Sequence, residues 1–264
     1  MDKRIKNRRY GFFTPQDMYE TPVRTLNRQQ IAGYSVGVVY IEDVNYPFVP
    51  GNVVNASTYD FPVRMRGVPN LDIDRLFAAD DSIAEDIIKL GEYMIKYEGV
   101  RALSSACGFF GNFHSEVAEA LDVPVALSSL VMTPWIRSLL KPSQKIGILT
   151  ADASSLTPKL FKSCRVGDTD DLIIKDLRHE ANFSAILEYR GEFDNAAMHN
   201  EVVGKAMELL EEQADIGAIL LECSDMPPYA YAVQAATQLP VFDFITLIKY
   251  LHTATTQKPY CGWI

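Results

Sequence analysis

The chain has little of what would tie it to a membrane, a metal or a nucleotide. No apolar run reaches the roughly 18 residues of a membrane-spanning helix, and the basic N-terminus lacks the apolar core of a secretory signal. Its four cysteines and four histidines show no disulfide framework and no metal-ligand spacing. A glycine-rich phosphate loop is also missing. We therefore predict no metal, no cofactor, no membrane partner and a cytoplasmic location.

Composition indicates a globular protein with an uneven charge. The chain has 264 residues, of which 48% are hydrophobic, which suits two α/β domains of roughly 110–130 residues each. A net charge of −9 argues against nucleic acid as a partner. Residues 1–30 nevertheless carry seven basic and three acidic side chains. We predict a basic arm there that packs across the body or a neighbouring subunit, with an anionic ligand as the alternative.

One stretch of the chain occurs twice. The segment from Arg101 to Leu127 aligns without a gap on the segment from Gly217 to Phe244, at a shift of 116 positions. In this register Cys107 falls on Cys223, and each cysteine is followed 17 residues later by a proline. A shared spacing of this kind indicates an internal duplication.

Each copy predicts a strand, a loop, a helix and the start of another strand. A short apolar run ends at the cysteine, which is typical of a buried parallel strand. Two further strands, Tyr34 to Ile41 and Lys145 to Thr150, each contain a glycine and open the two halves of the chain. Cys107 and Cys223 would then lie at the carboxyl ends of their strands, where open α/β sheets bind ligands.

The predicted fold is α/β with two pseudo-symmetric lobes, each a parallel sheet flanked by helices, and a ligand cleft between them. Lobe one covers 31–140 and is completed by the C-terminal segment 247–264, whereas lobe two covers 141–246. Another strand is expected at Tyr59 to Val63, and Ser154 or Ser155 is expected to cap a helix. Further helices are predicted at Asp80 to Tyr97, Leu130 to Leu140, Asp194 to Gln213 and Phe244 to Thr253.

A pair of thiols facing one cleft suits the movement of a proton from one face of a carbon to the other. One thiolate would remove the proton and the opposite thiol would supply a new one. We expect the sulfurs of Cys107 and Cys223 to face each other, too far apart for a disulfide. The helix that follows each cysteine is expected to lower the pKa of its thiol.

The chain resembles the aspartate/glutamate/hydantoin racemase superfamily. The resemblance rests on Ser-Ala-Cys-Gly-Phe-Phe-Gly-Asn-Phe around Cys107 and Leu-Glu-Cys-Ser-Asp-Met around Cys223, and it extends over nearly all of the chain beyond the arm. It implies catalysis by Cys107 and Cys223 without a cofactor, and a homodimer or larger homo-oligomer. The implied activity is racemisation or epimerisation of a small carboxylate, an amino acid or a hydantoin-like substrate.

Several residues are predicted to bind that substrate. By resemblance Ser224 replaces the usual threonine after the second cysteine, and Asp225 orients or activates Cys223. Phe109 and Phe110 follow Gly108 where amino-acid racemases carry polar residues, which points to a bulkier, less polar acid or a cyclic amide. Packing beneath the loop is the alternative for both rings. Candidates of weaker signal complete the set of cleft residues: Asn52, Asn55 and Thr150.

Three other functions stay open. Relatives of this fold isomerise maleate-like double bonds with two cysteines or decarboxylate malonates with one. The chain could also be a two-lobed binding protein that has lost catalysis. Two cysteines at matched positions favour the two-thiol racemase.

Overall fold

Two parallel sheets form the framework of the protein. A computed structural model describes residues 29–42 and 44–264, so all but two residues of the predicted arm 1–30 lie outside the described residues. The strands are β1 Val36–Ile41, β2 Val63–Val68, β3 Ala102–Ser105, β4 Val125–Ala126, β5 Lys145–Thr150, β6 Leu172–Asp176, β7 Ile216–Leu221 and β8 Val241–Phe242. They form two sheets of four strands, in the orders β2-β1-β3-β4 and β6-β5-β7-β8. The predicted two-lobed α/β fold is confirmed.

Helices connect the strands and cover the sheets. Their bounds are α1 Ile73–Phe77, α2 Ser82–Glu98, α3 His114–Ala120, α4 Thr133–Leu139, α5 Pro158–Ser163, α6 Ser184–Leu187, α7 Asn195–Glu212, α8 Ala230–Thr237 and α9 Phe244–Thr255. Within the described ranges, none of these helices combines the length and the apolar character that crossing a bilayer would require.

Strand pairing reproduces the duplication residue by residue. Leu103 pairs with Val125 in the first sheet, and Ile219 pairs with Val241 in the second, each 116 positions later. The first strands pair equivalently at a shift of 110 positions, since Gly37 pairs with Leu103 and Gly147 pairs with Ile219. The internal repeat read from the sequence is therefore confirmed as a structural repeat.

The glycine in each opening strand lets a helix approach the sheet closely. A methyl group added at Gly37 would lie 2.7 Å from the Met94 side chain of α2, and one added at Gly147 would lie 2.7 Å from Leu209 of α7. Real carbon contacts are longer than this. The two glycines therefore occupy the same place in the two lobes and fix how near α2 and α7 pack.

Two local predictions are wrong. The strand expected at Tyr59 to Val63 begins at Val63 instead, because Pro62 offers no N–H to the ladder and pairing starts after it. Ser154 and Ser155 do not cap a helix, because Thr157 caps α5 and the serines belong to a short 3-10 turn. The sequence also gave no sign of α1 and α6.

The last helix packs against the first lobe. Helix α9 contacts β1 and β3, and its His252 Nδ1 lies 2.7 Å from the Ser35 hydroxyl, which precedes β1. Tyr260 and Trp263 beyond the helix are fully exposed. Within the predicted segment 247–264, it is thus the helix rather than the last residues that packs on lobe one.

Candidate active site

One cavity lies where the carboxyl ends of β3 and β7 meet. Cys107 follows β3 by two residues and Cys223 follows β7 by two residues, and both side chains line this cavity. Both thiols are free, with Cys107 half-buried and Cys223 7% exposed. The duplication thus brings the two thiols to one space from opposite lobes.

Asp225 is held by side chains of both lobes. Its Oδ1 accepts a hydrogen bond of 2.5 Å from the Asn52 amide, and its Oδ2 accepts bonds of 3.4 Å from the hydroxyls of Tyr46 and Ser224. The Cys223 thiol also donates to Oδ2, at 3.6 Å. Burial raises the pKa of Asp225 to about 6, although these donors oppose the rise. A carboxylate is therefore placed to take a proton from Cys223.

Both thiols resist ionisation. Burial raises the pKa of each well above the ordinary value for cysteine, and nearby carboxylates, Glu222 for Cys107 and Asp225 for Cys223, raise it further. Backbone N–H groups of Phe109 and Asp225 donate toward the sulfurs and lower the pKa, but by less than burial raises it. The predicted lowering of the thiol pKa by the following helix is wrong, because burial outweighs these N–H groups. A 3-10 turn also separates each cysteine from its helix.

Glu222 is a second buried carboxylate in the cavity and was not predicted. It is 1% exposed, and its Oε2 accepts a hydrogen bond of 2.8 Å from the Thr150 hydroxyl. Its Oε1 has no hydrogen-bond partner. Burial raises the pKa of Glu222 to about 7. A glutamate ending the apolar run before Cys223 was the available signal, since its counterpart in the first copy is Ala106.

Glu222 also explains the glycine after Cys107. A methyl group added at Gly108 would lie 1.5 Å from Glu222 Oε1 and 2.9 Å from its carbonyl oxygen. No side chain fits there while the carboxyl group keeps its position. Gly108 is therefore best understood as room for Glu222 rather than as a lost polar anchor.

Most of the predicted site residues line the cavity, and three do not. Those that line it are Asn52, Cys107, Gly108, Phe109, Cys223, Ser224 and Asp225. Asn55 instead caps a turn, accepting from the Ser57 N–H and donating to the Phe48 carbonyl. Phe110 is fully buried in the core, and Thr150 lies behind Glu222.

Aromatic side chains form much of the remaining wall. They are Tyr40, Tyr46, Phe48, Phe77, Phe109 and Tyr189. The rings of Phe77 and Phe109 meet edge to face with centroids 4.6 Å apart, and those of Tyr46 and Tyr189 stack at 6.3 Å. Sequence reasoning did not point to Tyr46, Phe48, Phe77 or Tyr189, because they come from segments without a matching copy in the repeat.

Two proteins with similar sequences are named as lyases. The chain is 32% identical over 236 residues to a dimethylsulfoniopropionate lyase of Durusdinium sp. clade D, covering 86% of this chain and 77% of that protein. It is 32% identical to dimethylsulfoniopropionate lyase 7 of Emiliania huxleyi, covering 86% and 69%. The chain belongs to the dimethylsulfoniopropionate lyase family. No family model matches it.

The fold of this family member is shared with racemases. Allantoin racemase from Pseudomonas fluorescens superposes with a TM-score of 0.58 and 16% identity, over 87% of this chain and 99% of that chain. The predicted resemblance to the aspartate/glutamate/hydantoin racemase superfamily is thereby confirmed for the fold. A sequence identity this low shows a shared fold, so the reaction has to be inferred from the residues of the site.

Proposed function

We propose that this protein is a lyase that splits dimethylsulfoniopropionate, the compound in the names of its relatives, into acrylate and dimethyl sulfide. Sequence similarity over most of the chain supports an enzyme of this kind. The predicted racemase activity starts with the same step, removal of a proton from the carbon beside a carboxylate. The two reactions differ in what happens next.

Elimination requires one base and no acid. A thiolate takes the proton from the α-carbon, and the electrons of that C–H bond form the double bond between the α- and β-carbons. The bond from the β-carbon to sulfur breaks, and sulfur keeps its electron pair. Dimethyl sulfide leaves neutral and needs no proton. The proton taken by the thiolate then returns to water.

The main support for the proposal is that the two thiols have different neighbours. Cys223 donates a hydrogen bond to the Asp225 carboxylate, and the corresponding position beside Cys107 is Phe109. Asp225 can accept the Cys223 proton when substrate arrives, which makes Cys223 the base. Cys107 lacks such a partner at that position. A reaction with one base suits this arrangement better than one with two equivalent bases.

The charge in the cavity also favours this substrate. Among the described residues that line the cavity there is no lysine, arginine or histidine, whereas two carboxylates, Glu222 and Asp225, do line it. A simple anionic acid would enter an already negative space. Dimethylsulfoniopropionate carries a positive sulfonium group as well as its carboxylate, so its cation offsets part of that charge.

A racemase or epimerase remains the second candidate. The observation in its favour is that Cys107 and Cys223 line one cavity from opposite lobes. A small acid, amino acid or hydantoin held between them could lose a proton to one thiol and gain one from the other. This reaction needs both thiols equally, whereas the lyase needs Cys223 as base.

Incubation of the purified protein with dimethylsulfoniopropionate tests the proposal. Headspace gas chromatography should detect dimethyl sulfide, and proton NMR should detect an equal amount of acrylate. Formation of both should fall by roughly 10²-fold or more with Cys223→Ala. Failure to form either product, together with deuterium exchange into amino acids or hydantoins in D₂O, would move the racemase ahead.

A further inference from the structure

We propose that Glu222, together with the rings of Tyr189 and Phe109, forms the subsite that binds the positively charged group of the substrate. The inference deepens the proposed function and rests on it for the identity of that group as a sulfonium. The chemical class of ligand it requires is wider: an alkylated cation carried by a small carboxylate.

Glu222 is a buried carboxylate without a positively charged partner among the described cavity-lining residues. It is 1% exposed, and one oxygen is bound by Thr150 while Oε1 is buried and has no hydrogen-bond partner. Buried charges in proteins are normally paired. Among the described cavity-lining residues none carries a positive charge. A positively charged ligand would supply the missing partner.

The chain makes room for this carboxylate. At Gly108 any side chain would collide with Glu222 Oε1, at 1.5 Å from the first added carbon. Gly108 also lines the cavity, next to Cys107. Because Gly108 has no side chain, the backbone of the Cys107 loop can pack against Glu222.

Aromatic rings supply the other half of a site for an alkylated cation. A sulfonium bearing methyl groups has no N–H or O–H to donate, so it is recognised by charge and by the faces of aromatic rings. Phe109 lines the cavity with its ring fixed against Phe77, at 4.6 Å between centroids. Tyr189 lines it too, and its hydroxyl is buried without a partner.

Tyr189 is held in place by a strained backbone. Its φ of 53° lies in the left-handed region, which a tyrosine rarely adopts. The residue follows the end of α6, and its carbonyl accepts a hydrogen bond of 3.3 Å from Asn45 of lobe one. Strain of this kind persists where the surrounding structure requires it, often at ligand sites.

The arrangement divides the cavity into two functional ends. Glu222 Oε1 packs against Gly108, the residue after Cys107, so this carboxyl group lies beside the Cys107 loop. Asp225 and Cys223 form the other end. A substrate with its sulfonium beside Glu222 would present its α-carbon to Cys223.

Binding of two unreactive acids tests the subsite without turnover. The probe with a cationic group is 3-(trimethylammonio)propanoate, whose amine is a poor leaving group. Its match of the same shape without the positive charge is 4,4-dimethylpentanoate. Isothermal titration calorimetry should give the native protein a preference for the cation of roughly tenfold or more. Glu222→Gln should remove most of this preference, because it keeps the shape and the Thr150 contact but loses the charge.

Asp225→Asn is the matched control, since it neutralises the other carboxylate. It should keep most of the preference for the cation while losing elimination. Tyr189→Leu provides a second variant should Glu222→Gln fold poorly, and it should reduce the preference several-fold. A native protein that binds both probes equally would overturn the subsite, as would a preference that Glu222→Gln and Tyr189→Leu both retain. These results are independent of whether the protein releases dimethyl sulfide, so the two proposals can fail separately.

Discussion

The two cysteine loops share a backbone and differ in chemistry. Strand pairing and the hydrogen bond from the third residue after the cysteine to the cysteine carbonyl are the same in both. Four positions can be compared at the 116-residue shift: Ala106 with Glu222, Gly108 with Ser224, Phe109 with Asp225, and Phe110 with Met226. The last pair is fully buried in both lobes. The other three pairs differ in polarity or size, and all six of those residues line the cavity.

This difference shows that the features that place the two thiols are distinct from those that set their reactivity. The duplicated framework puts two thiols at one cavity, and the residues around them make the two ends unequal. The first loop contributes a glycine and an aromatic ring, whereas the second contributes two carboxylates. A racemase treats mirror-image substrates alike and benefits from equal ends. A lyase that must hold a cation at one end and remove a proton at the other benefits from unequal ends.

Replacing the thiols one at a time should give the largest effect. Cys223→Ala should lower kcat/KM for dimethylsulfoniopropionate by roughly 10²–10⁴-fold, the contribution of a positioned base. Cys107→Ala should cost about tenfold or less, because we assign it no proton transfer. Release of dimethyl sulfide measures both. Equal and complete losses would show that both thiols act on protons, as the racemase mechanism requires.

Filling the space beside Glu222 should give the next largest effect. Gly108→Ala places a methyl group on the carboxyl oxygen, so Glu222 must move and kcat/KM should fall by roughly 10-fold to 100-fold. Overpacking should also lower the free energy of unfolding by about 1–3 kcal/mol.

The equivalent change in the second loop is the control. Ser224→Ala removes one 3.4 Å hydrogen bond to Asp225 and creates no clash. It should lower kcat/KM by about threefold or less and leave chemical denaturation almost unchanged. If both alanine variants behave alike, the steric explanation of Gly108 is wrong.

Sequence reasoning reached the parts of this molecule that the repeat encodes. The lobes, the strand ends, Cys107 and Cys223 follow from local apolar runs and one constant shift, and Asp225 was indicated by the family resemblance. Glu222 was missed although it lies in that register, because one buried glutamate in an apolar run gives no sign of what faces it. Tyr46 and Tyr189 come from connecting segments, and contacts between lobes decide which of their side chains reach the cavity.

The buried carboxyl groups of Glu222 and Asp225 should make the stability of the protein depend on pH. Burial raises the pKa of Glu222 to about 7 and that of Asp225 to about 6, whereas both groups ionise near pH 4 in an unfolded chain. Between about pH 4 and pH 7 the folded protein therefore binds more protons from these groups. Their contribution to stability is present on the acid side and is lost as the pH rises through this interval.

Glu222→Gln should remove part of that pH dependence. Urea unfolding at pH 5 and at pH 7.5 should show the native protein losing roughly 1–3 kcal/mol more than the variant over this range. Catalysis moves the opposite way, since Asp225 must be ionised to accept a proton. Native kcat/KM should therefore rise with pH through the same interval. A variant with the native pH dependence of stability would contradict the assignment of a raised pKa to Glu222.

Leucine at the second and third positions after Cys107 should distinguish ligand contact from packing. Phe109 lines the cavity, so Phe109→Leu should raise KM about threefold to tenfold through loss of its ring face. Phe110 is fully buried in the core and does not line the cavity. Phe110→Leu should therefore leave KM unchanged and lower the free energy of unfolding by roughly 1–2 kcal/mol.

Met226, the counterpart of Phe110, extends this last comparison to the second lobe. Met226→Ala should lower the free energy of unfolding by roughly 2–5 kcal/mol, as expected for a buried methionine. Its KM, measured below the unfolding temperature, should match that of the native protein. A change in KM for Phe110→Leu or Met226→Ala as large as that for Phe109→Leu would mean that the third position also shapes the cavity. The buried residues that the two lobes share would then help to shape the ligand site, as well as placing the two thiols.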